Sequence, residues 1–298
     1  MDYNKLLSNL AKKNKLPKEN KVIEILERVQ EILFQENTIL YLDSKINVVG
    51  DTHGQFFDVL EILSSFPKEK YLFMGDYVDR GGWSVHLILY LFLLKLRNHE
   101  SRDVSKEKQQ NSFYMKCLEA YDSPYVWRQF MVVFDYLPLC ATIDNKFFCV
   151  HAGLSPEVTT LSQINWLDRF QEPGIKGAIS DLVWSDPSNE TTDFTVSIRG
   201  SGFLFGKNPT ERFLHKNNLD VIFRSHFTEP EGHKWWFKNE SKKKSYEGLL
   251  CTIWTAPNYN YKVKNKGHYL KIKENDQQLD RWIIVEKSKR DPFHNNQY

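Results

Sequence analysis

Between Lys21 and Gln35 apolar residues recur at helical spacing (Val22, Ile25, Leu26, Val29, Ile32, Leu33) and charges fill the other face. This predicts an amphipathic helix lying on the main body. From residue 46 the pattern changes. The β-branched run INVVG leads into the polar DTHGQ and then the helix-like FFDVLEILSS. KYLFMG, DYVDRGG and SVHLILYLF repeat that arrangement, and LKLRNHES follows at once. A strand, a polar loop and a helix, repeated, predict a parallel βαβ sheet. Such sheets bind ligands at the carboxyl ends of their strands, where these polar loops fall.

The second half is richer in strands. LCATI and KFFCV flank Asp144-Asn145, which predicts a hairpin turn, and the second of these strands runs straight into HAGLSP. DVIFRSHF and GLLCTIWTAPNY each read as a strand followed by a polar loop, and GHYLKIKEN with LDRWIIVEK as a closing hairpin. The whole predicts a mixed α/β fold with two sheets packed together and helices outside. Lysines 242 to 244 sit in a polar insertion between strands and read as a solvated tip. No repeat or low-complexity linker marks a domain boundary.

Composition narrows the classes. A chain of 298 residues with 41% apolar content can bury a substantial core, and a net charge of +2 offers no basic face for nucleic acid. The apolar run Val85 to Leu94 is interrupted by His86 and too short to span a bilayer. The N-terminus lacks the apolar core and small-residue cleavage site of a signal peptide. Cys117, Cys140, Cys149 and Cys251 have no CxxC spacing, which predicts reduced, buried thiols in a cytoplasmic or also nuclear protein.

The loops at the strand ends carry the chemistry. The first offers Asp51 and His53, which in an extended segment would point to the same side. The second offers Asp76, then Asp79 and Arg80, the third Asn98 and His99. His151 and His226 each follow a strand. Carboxylates, neutral imidazoles and an amide oxygen are ligands for a borderline divalent metal such as Mn, Fe or Zn, and the lack of a thiolate argues against structural zinc. A cluster of such residues without a cation would be electrostatically costly.

GDTHGQ, GDYVDRG, NHESR, HAGLSP, RGSGFLFG and TAPNY resemble the motif series of the phosphoprotein phosphatase family. FMGDYVDRG, FDYLPL, LDRFQE and DLVWSDP place the resemblance nearest the type 2A catalytic subunits. The resemblance covers roughly residues 5 to 285. It implies a single catalytic domain with a helical segment over 1–44, a metallophosphatase core over 45–285 and a tail over 286–298. It also implies the calcineurin-like metallophosphoesterase fold, a two-sheet β-sandwich flanked by helices in four layers, α/β/β/α. Carried over, one metal is held by Asp51, His53 and Asp76, and the other by Asn98, His151 and His226, with Asp76 bridging. The implied reaction is hydrolysis of phosphoserine and phosphothreonine in phosphoprotein substrates by a hydroxide shared between the two metals. Arg80 and Arg199 would grip the phosphoryl oxygens, Tyr259 would line the site, and His99, oriented by Asp79, would protonate the leaving alkoxide.

Three departures from the pattern carry expectations. Family members have a glycine before Asn-His-Glu and a longer crossover leading to it; here only the residues from Gly82 to Arg97 intervene. About nine residues of helix return roughly 13 Å, and about four of strand advance a similar distance, so the crossover closes with almost nothing left for turns. Asn98 and His99 are therefore read as strand-end ligands, and the alternative to an enzyme is a pseudophosphatase that keeps the fold as a binding module. Asn260 stands where type 2A enzymes carry a cysteine, which predicts that alkylating toxins cannot attach there. The chain ends in HNNQY rather than a leucine tail, which weakens the expectation of type 2A scaffold and regulatory subunits.

Overall fold

The computed structural model describes residues 2–94, 112–240, 246–274 and 281–294. Asn98, His99 and lysines 242 to 244 lie outside the described residues. The chain opens with helices α1 (Tyr3–Lys13) and α2 (Glu19–Gln35), then strands β1 (Ile39–Leu42) and β2 (Ile46–Val49). There follow α3 (Phe56–Ser65), β3 (Lys70–Phe73) and α4 (Ser84–Leu93), then α5 (Phe113–Tyr121) and α6 (Pro124–Phe134). Strands β4 (Cys140–Ile143) and β5 (Phe147–Val150) precede α7 (Leu161–Asn165) and α8 (Ala178–Trp184). A small three-stranded sheet comes next, β6 (Asp186–Pro187), β7 (Phe194–Val196) and β8 (Phe203–Phe205), then α9 (Lys207–Lys216). The chain closes with β9 (Val221–Arg224), β10 (His233–Lys238), β11 (Gly248–Ile253), β12 (Gly267–Ile272) and β13 (Trp282–Val285).

Two sheets form the centre. One has the order β1-β4-β5-β9-β11-β10, the other β13-β12-β2-β3. β2 and β3 pair in parallel, as the βαβ pattern predicts, and β12 and β13 form the closing hairpin. Asp144 and Asn145 both sit at positive φ (53° and 52°), and the Lys146 N–H donates to the Ile143 carbonyl. That is the two-residue turn expected between β4 and β5.

Burial on both faces explains why the strands read as near-continuous apolar runs. Val48, Leu72 and Leu270 of one sheet meet Phe147, Cys149, Val221 and Phe223 of the other between the sheets. The alternate residues turn outward: Val49, Phe73 and Tyr269 pack beneath α2 to α6. Phe148, Val150 and Ile222 pack beneath α7 to α9. The result is the α/β/β/α layering. Helix α2 buries Val22, Ile25, Leu26, Val29 and Leu33 as its spacing predicts, but Ile32 lies on the flank of that face and is exposed. Besides its two helices, the stretch before residue 44 carries β1, which pairs in parallel with β4. All four cysteines are free and buried.

Candidate metal centre and active site

The site forms where the carboxyl ends of β2, β3, β5 and β9 meet. A parallel bridge between Asp51 and Trp254 joins the ends of β2 and β11, one strand from each sheet. The first two loops are laced together by their backbones. His53 and Thr52 N–H groups donate to the Asp76 carbonyl, Gly54 N–H to Tyr77, and Gly81 N–H to the His53 carbonyl at 2.9 Å. The approach needs glycine: a Cβ at Gly81 would stand 2.2 Å from the His53 oxygen.

Several site residues adopt left-handed backbone: His53 (φ 42°), Asp76 (47°), Asp79 (64°), Arg80 (70°) and His226 (68°). Such conformations are uncommon outside glycine and persist where surrounding structure enforces them. His53 therefore does not follow the strand alternation that the Asp51-x-His53 spacing suggests. The turn at His53 brings the pair together instead, with His53 Nε2 3.6 Å from Asp51 Oδ2 and 3.4 Å from Asp76 Oδ2.

Ligand atoms of Asp51, His53 and Asp76 lie within 4.8 Å of one another, and so do those of Asp76, His151 and His226. Asp76 belongs to both groups. His151 Nε2 lies 3.8 Å from Asp76 Oδ1 and 3.0 Å from His226 Nδ1. Backbone carbonyls fix the two leading imidazoles. Nδ1 of His53 faces the Val78 carbonyl at 3.1 Å and Nδ1 of His151 faces the Met74 carbonyl at 3.0 Å. A carbonyl only accepts, so each Nδ1 carries a proton, which leaves Nε2 as the nitrogen that can present a lone pair to a cation once the ring is neutral.

Electrostatics agree with a cation centre. Burial works against charge on Asp51, but His53, His151 and Ser225 outweigh it and hold its carboxyl below the usual range. Burial would lower His53, yet the Asp76 and Asp51 carboxylates push it up to about 8. Burial and the nearby His151 and Arg224 drive His226 well down, which keeps that imidazole neutral. Asp51 Oδ2 is buried and has no hydrogen-bond partner among the described residues. With no ion bound, the Asp51 and Asp76 carboxylates draw a proton onto His53 to balance their charge, and a divalent cation would take that proton's place. The donor set fits divalent metal ions.

Around the ligands lies a cleft of about 360 Å³ that takes in Asp76, Arg80, His151, Arg199, His226 and Tyr259. The Tyr259 ring lies 4.9 Å from that of His53, and its hydroxyl bonds the Arg80 guanidinium. Arg199 Nε donates to Asp186 Oδ2 at 2.6 Å. Asp79 Oδ1 accepts from the Phe113 N–H at 2.6 Å, while its Oδ2 is buried without a partner among the described residues. Burial pushes the Asp79 carboxyl up to about 6. Of the residues singled out in the sequence, Asp51, His53, Asp76, Asp79, Arg80, His151, Arg199, His226 and Tyr259 thus meet in one place.

Other residues of the site escaped the sequence reading. The Ser225 hydroxyl donates to Asp51 Oδ1 and accepts from the Asp51 N–H, and the His226 N–H donates to the same carboxylate. Asp186 joins Arg199 to the fully buried Arg224, whose Nη2 lies 2.7 Å from Asp186 Oδ1. Ser225 and Arg224 directly precede His226, so their place in the chain was a usable signal; for Asp186 only its position in WSDP was.

The model of the calcineurin-like phosphoesterase family matches residues 44–230. This chain belongs to that family. It is 41% identical to the serine/threonine-protein phosphatase PP2A-like PPG1 of Saccharomyces cerevisiae, over 93% of this chain and 78% of that protein. A solved structure of a protein serine/threonine phosphatase from Saccharomyces cerevisiae, described as similar to human phosphatase PP5, superposes with a TM-score of 0.81. The two share 31% identity over 98% of this chain and 99% of the other. A cold-active protein-tyrosine phosphatase of a Shewanella species matches at a TM-score of 0.53 with 13% identity, covering 86% of this chain and 84% of that one, and shares the fold alone. Within the family, this phosphoesterase groups with the PP2A-like phosphatases. Among its described residues no helix is long and apolar enough to cross a membrane.

Proposed function

We propose that this phosphoesterase is a metal-dependent phosphatase for phosphoserine and phosphothreonine in proteins, working at a centre of two divalent ions. The observation that carries the reading is the convergence of Asp51, His53, His151 and His226 on one shared carboxylate, Asp76. Likeness to a PP2A-like serine/threonine-protein phosphatase over nearly the whole chain supports protein substrates. Oxygen and imidazole donors without thiolate suit manganese, iron or zinc.

In this reading Asp51, His53 and Asp76 would hold one ion, and Asp76, His151, His226 and Asn98 the other. Bound there, the ions would supply Lewis acidity that lowers the pKa of a coordinated water. The chain's own groups do the rest. Arg80 and Arg199 offer guanidinium forks to the phosphoryl oxygens, a geometry that matches phosphate. Asp186 takes the Nε edge of Arg199 and so fixes the direction of its remaining N–H groups. Tyr259 packs its tilted ring against His53 and its hydroxyl restrains Arg80. His99 gives its proton to the leaving alkoxide. Asp79 would orient it, with a carboxyl that burial pushes up to about 6 and that is therefore ionised at neutral pH.

Purified protein with added manganese is expected to dephosphorylate a phosphoserine or phosphothreonine peptide. Asp76→Asn is expected to abolish turnover, and His99→Ala to reduce it by about 10²–10⁴-fold, the usual effect of a positioned acid. Absence of turnover by the metal-loaded wild type would overturn the proposal. Nothing in the likenesses favours the binding-module reading.

A further inference from the structure

We infer that the segment from Ser288 to His294 is a clasp that positions the phosphate-binding arm of the site, with Asp291 and Tyr261 as its positioning residues. The inference rests on the reading of Arg80 and Tyr259 as groups that meet the phosphate.

Asp58, Asp291 and His294 form a third buried group of ligand-type side chains. In this group every carboxylate oxygen accepts from an N–H or O–H donor, whereas at the cleft Asp51 Oδ2 has none among the described residues. Asp58 Oδ1 accepts from the Ser288 N–H at 2.6 Å. Its Oδ2 accepts from Gln55 Nε2 at 2.7 Å and from His294 Nε2 at 2.8 Å. Asp291 Oδ1 accepts from Trp83 Nε1 at 3.2 Å, and Oδ2 from the Tyr261 hydroxyl at 3.2 Å. A set of carboxylates satisfied in this way is a fastening and not a cation site.

What it fastens is specific. The Tyr261 hydroxyl donates to Asp291 and accepts from the Gly82 N–H at 3.2 Å. Gly82 lies two residues after Arg80, and Tyr261 two after Tyr259. One tyrosine oxygen therefore ties together the two turns that carry the arm. Gln55, two residues after His53, adds a second tie, since its Nε2 donates both to Asp58 and to the Pro257 carbonyl at 2.8 Å. The clasp has a fitted seat. The Phe293 ring stacks on Tyr261 at 5.2 Å and fills the space where Gly82 lacks a side chain, for a Cβ there would stand 2.2 Å from Phe293.

Backbone strain explains why such a tie is needed. Asp79 and Arg80 are left-handed on one turn, and Asn258, Asn260 and Tyr261 on the other, at φ of 47°, 51° and 59°. Turns of this kind keep their shape only where contacts outside them enforce it. A clasp bonded to both turns holds Arg80 against Tyr259.

The test uses the full chain loaded with manganese, a phosphopeptide substrate, and inorganic phosphate as competitive inhibitor. Asp291→Ala and Tyr261→Phe both cut the tie between the two turns, and each is expected to raise KM and the phosphate Ki about three- to tenfold, with kcat changed less. The double variant is expected to be no worse than Asp291→Ala alone, since both cut one relay. A fall in Tm with KM and Ki at wild-type values would show a structural role only and overturn the inference. Additive effects, or loss of bound metal in the variants, would overturn it too. Should Asp291→Ala fail to fold, Tyr261→Phe, which removes one oxygen, decides alone by the same readouts. Arg80→Ala separates the two levels: if it leaves the phosphate Ki unchanged, the reading of the arm fails and the clasp with it. If it weakens inhibition while the clasp variants do not, the clasp alone fails.

Discussion

Asp186 serves two guanidinium groups with one carboxylate. Arg224 is fully buried, and its Nε also donates to the Ala152 carbonyl next to His151, whereas Arg199 reaches into the cleft. Removing the shared carboxylate should therefore cost more stability than removing the exposed arginine. Asp186→Ala leaves a buried charge without its counterion and is expected to cost about 3–5 kcal/mol of stability in denaturant unfolding. Arg199→Ala, at a side chain about a third exposed, is expected to change stability little but to weaken binding of phosphate. Equal stability losses for both would contradict this division. At this scale the sequence was readable wherever a side chain had chemistry of its own. Asp, His and Arg at strand ends announced themselves; Ser225 and Asp186, which act by holding others, did not. Asp51 and His53 do come together, but a left-handed turn, and not the strand alternation their spacing suggests, is the reason.

Strands and loops are where the sequence spoke most clearly. β2, β3, β5 and β9 each end in a polar loop, and their apolar runs reflect burial on both faces. Helices were less legible. α1, α5 and α6 pack by sparse or aromatic contacts that periodicity alone does not single out, and Ile32 shows that the apolar stripe of α2 is wider than its buried face. In the short crossover the helix takes Ser84–Leu93 with Leu94 as its right-handed C-cap, so the first residue of the expected four-residue strand belongs to the helix end, and the rest lies outside the described residues. Loop lacing is the feature no pattern revealed, since glycine records only that something comes close. Gly81→Ala would drive the DYVDRGG loop from the His53 carbonyl. A shift of about 1 Å there is expected to lower kcat/KM on the order of 100-fold and to reduce metal retention. Wild-type turnover in that variant would show that the contact is not needed.

Across the whole molecule, four layers bring side chains that are far apart in sequence to the seam between two sheets, and Asp76 lies at the centre of that seam. The near-neutral net charge of +2 hides this local concentration of acid and imidazole, which only the fold assembles. The central claim is that one carboxylate serves two cations. Metal content after equilibrium dialysis against manganese tests it most directly, with wild type and Asp76→Asn compared. Two ions per wild-type chain, and loss of both from Asp76→Asn, is the expected result. A wild type that binds none, or an Asp76→Asn chain that keeps both, would contradict the account.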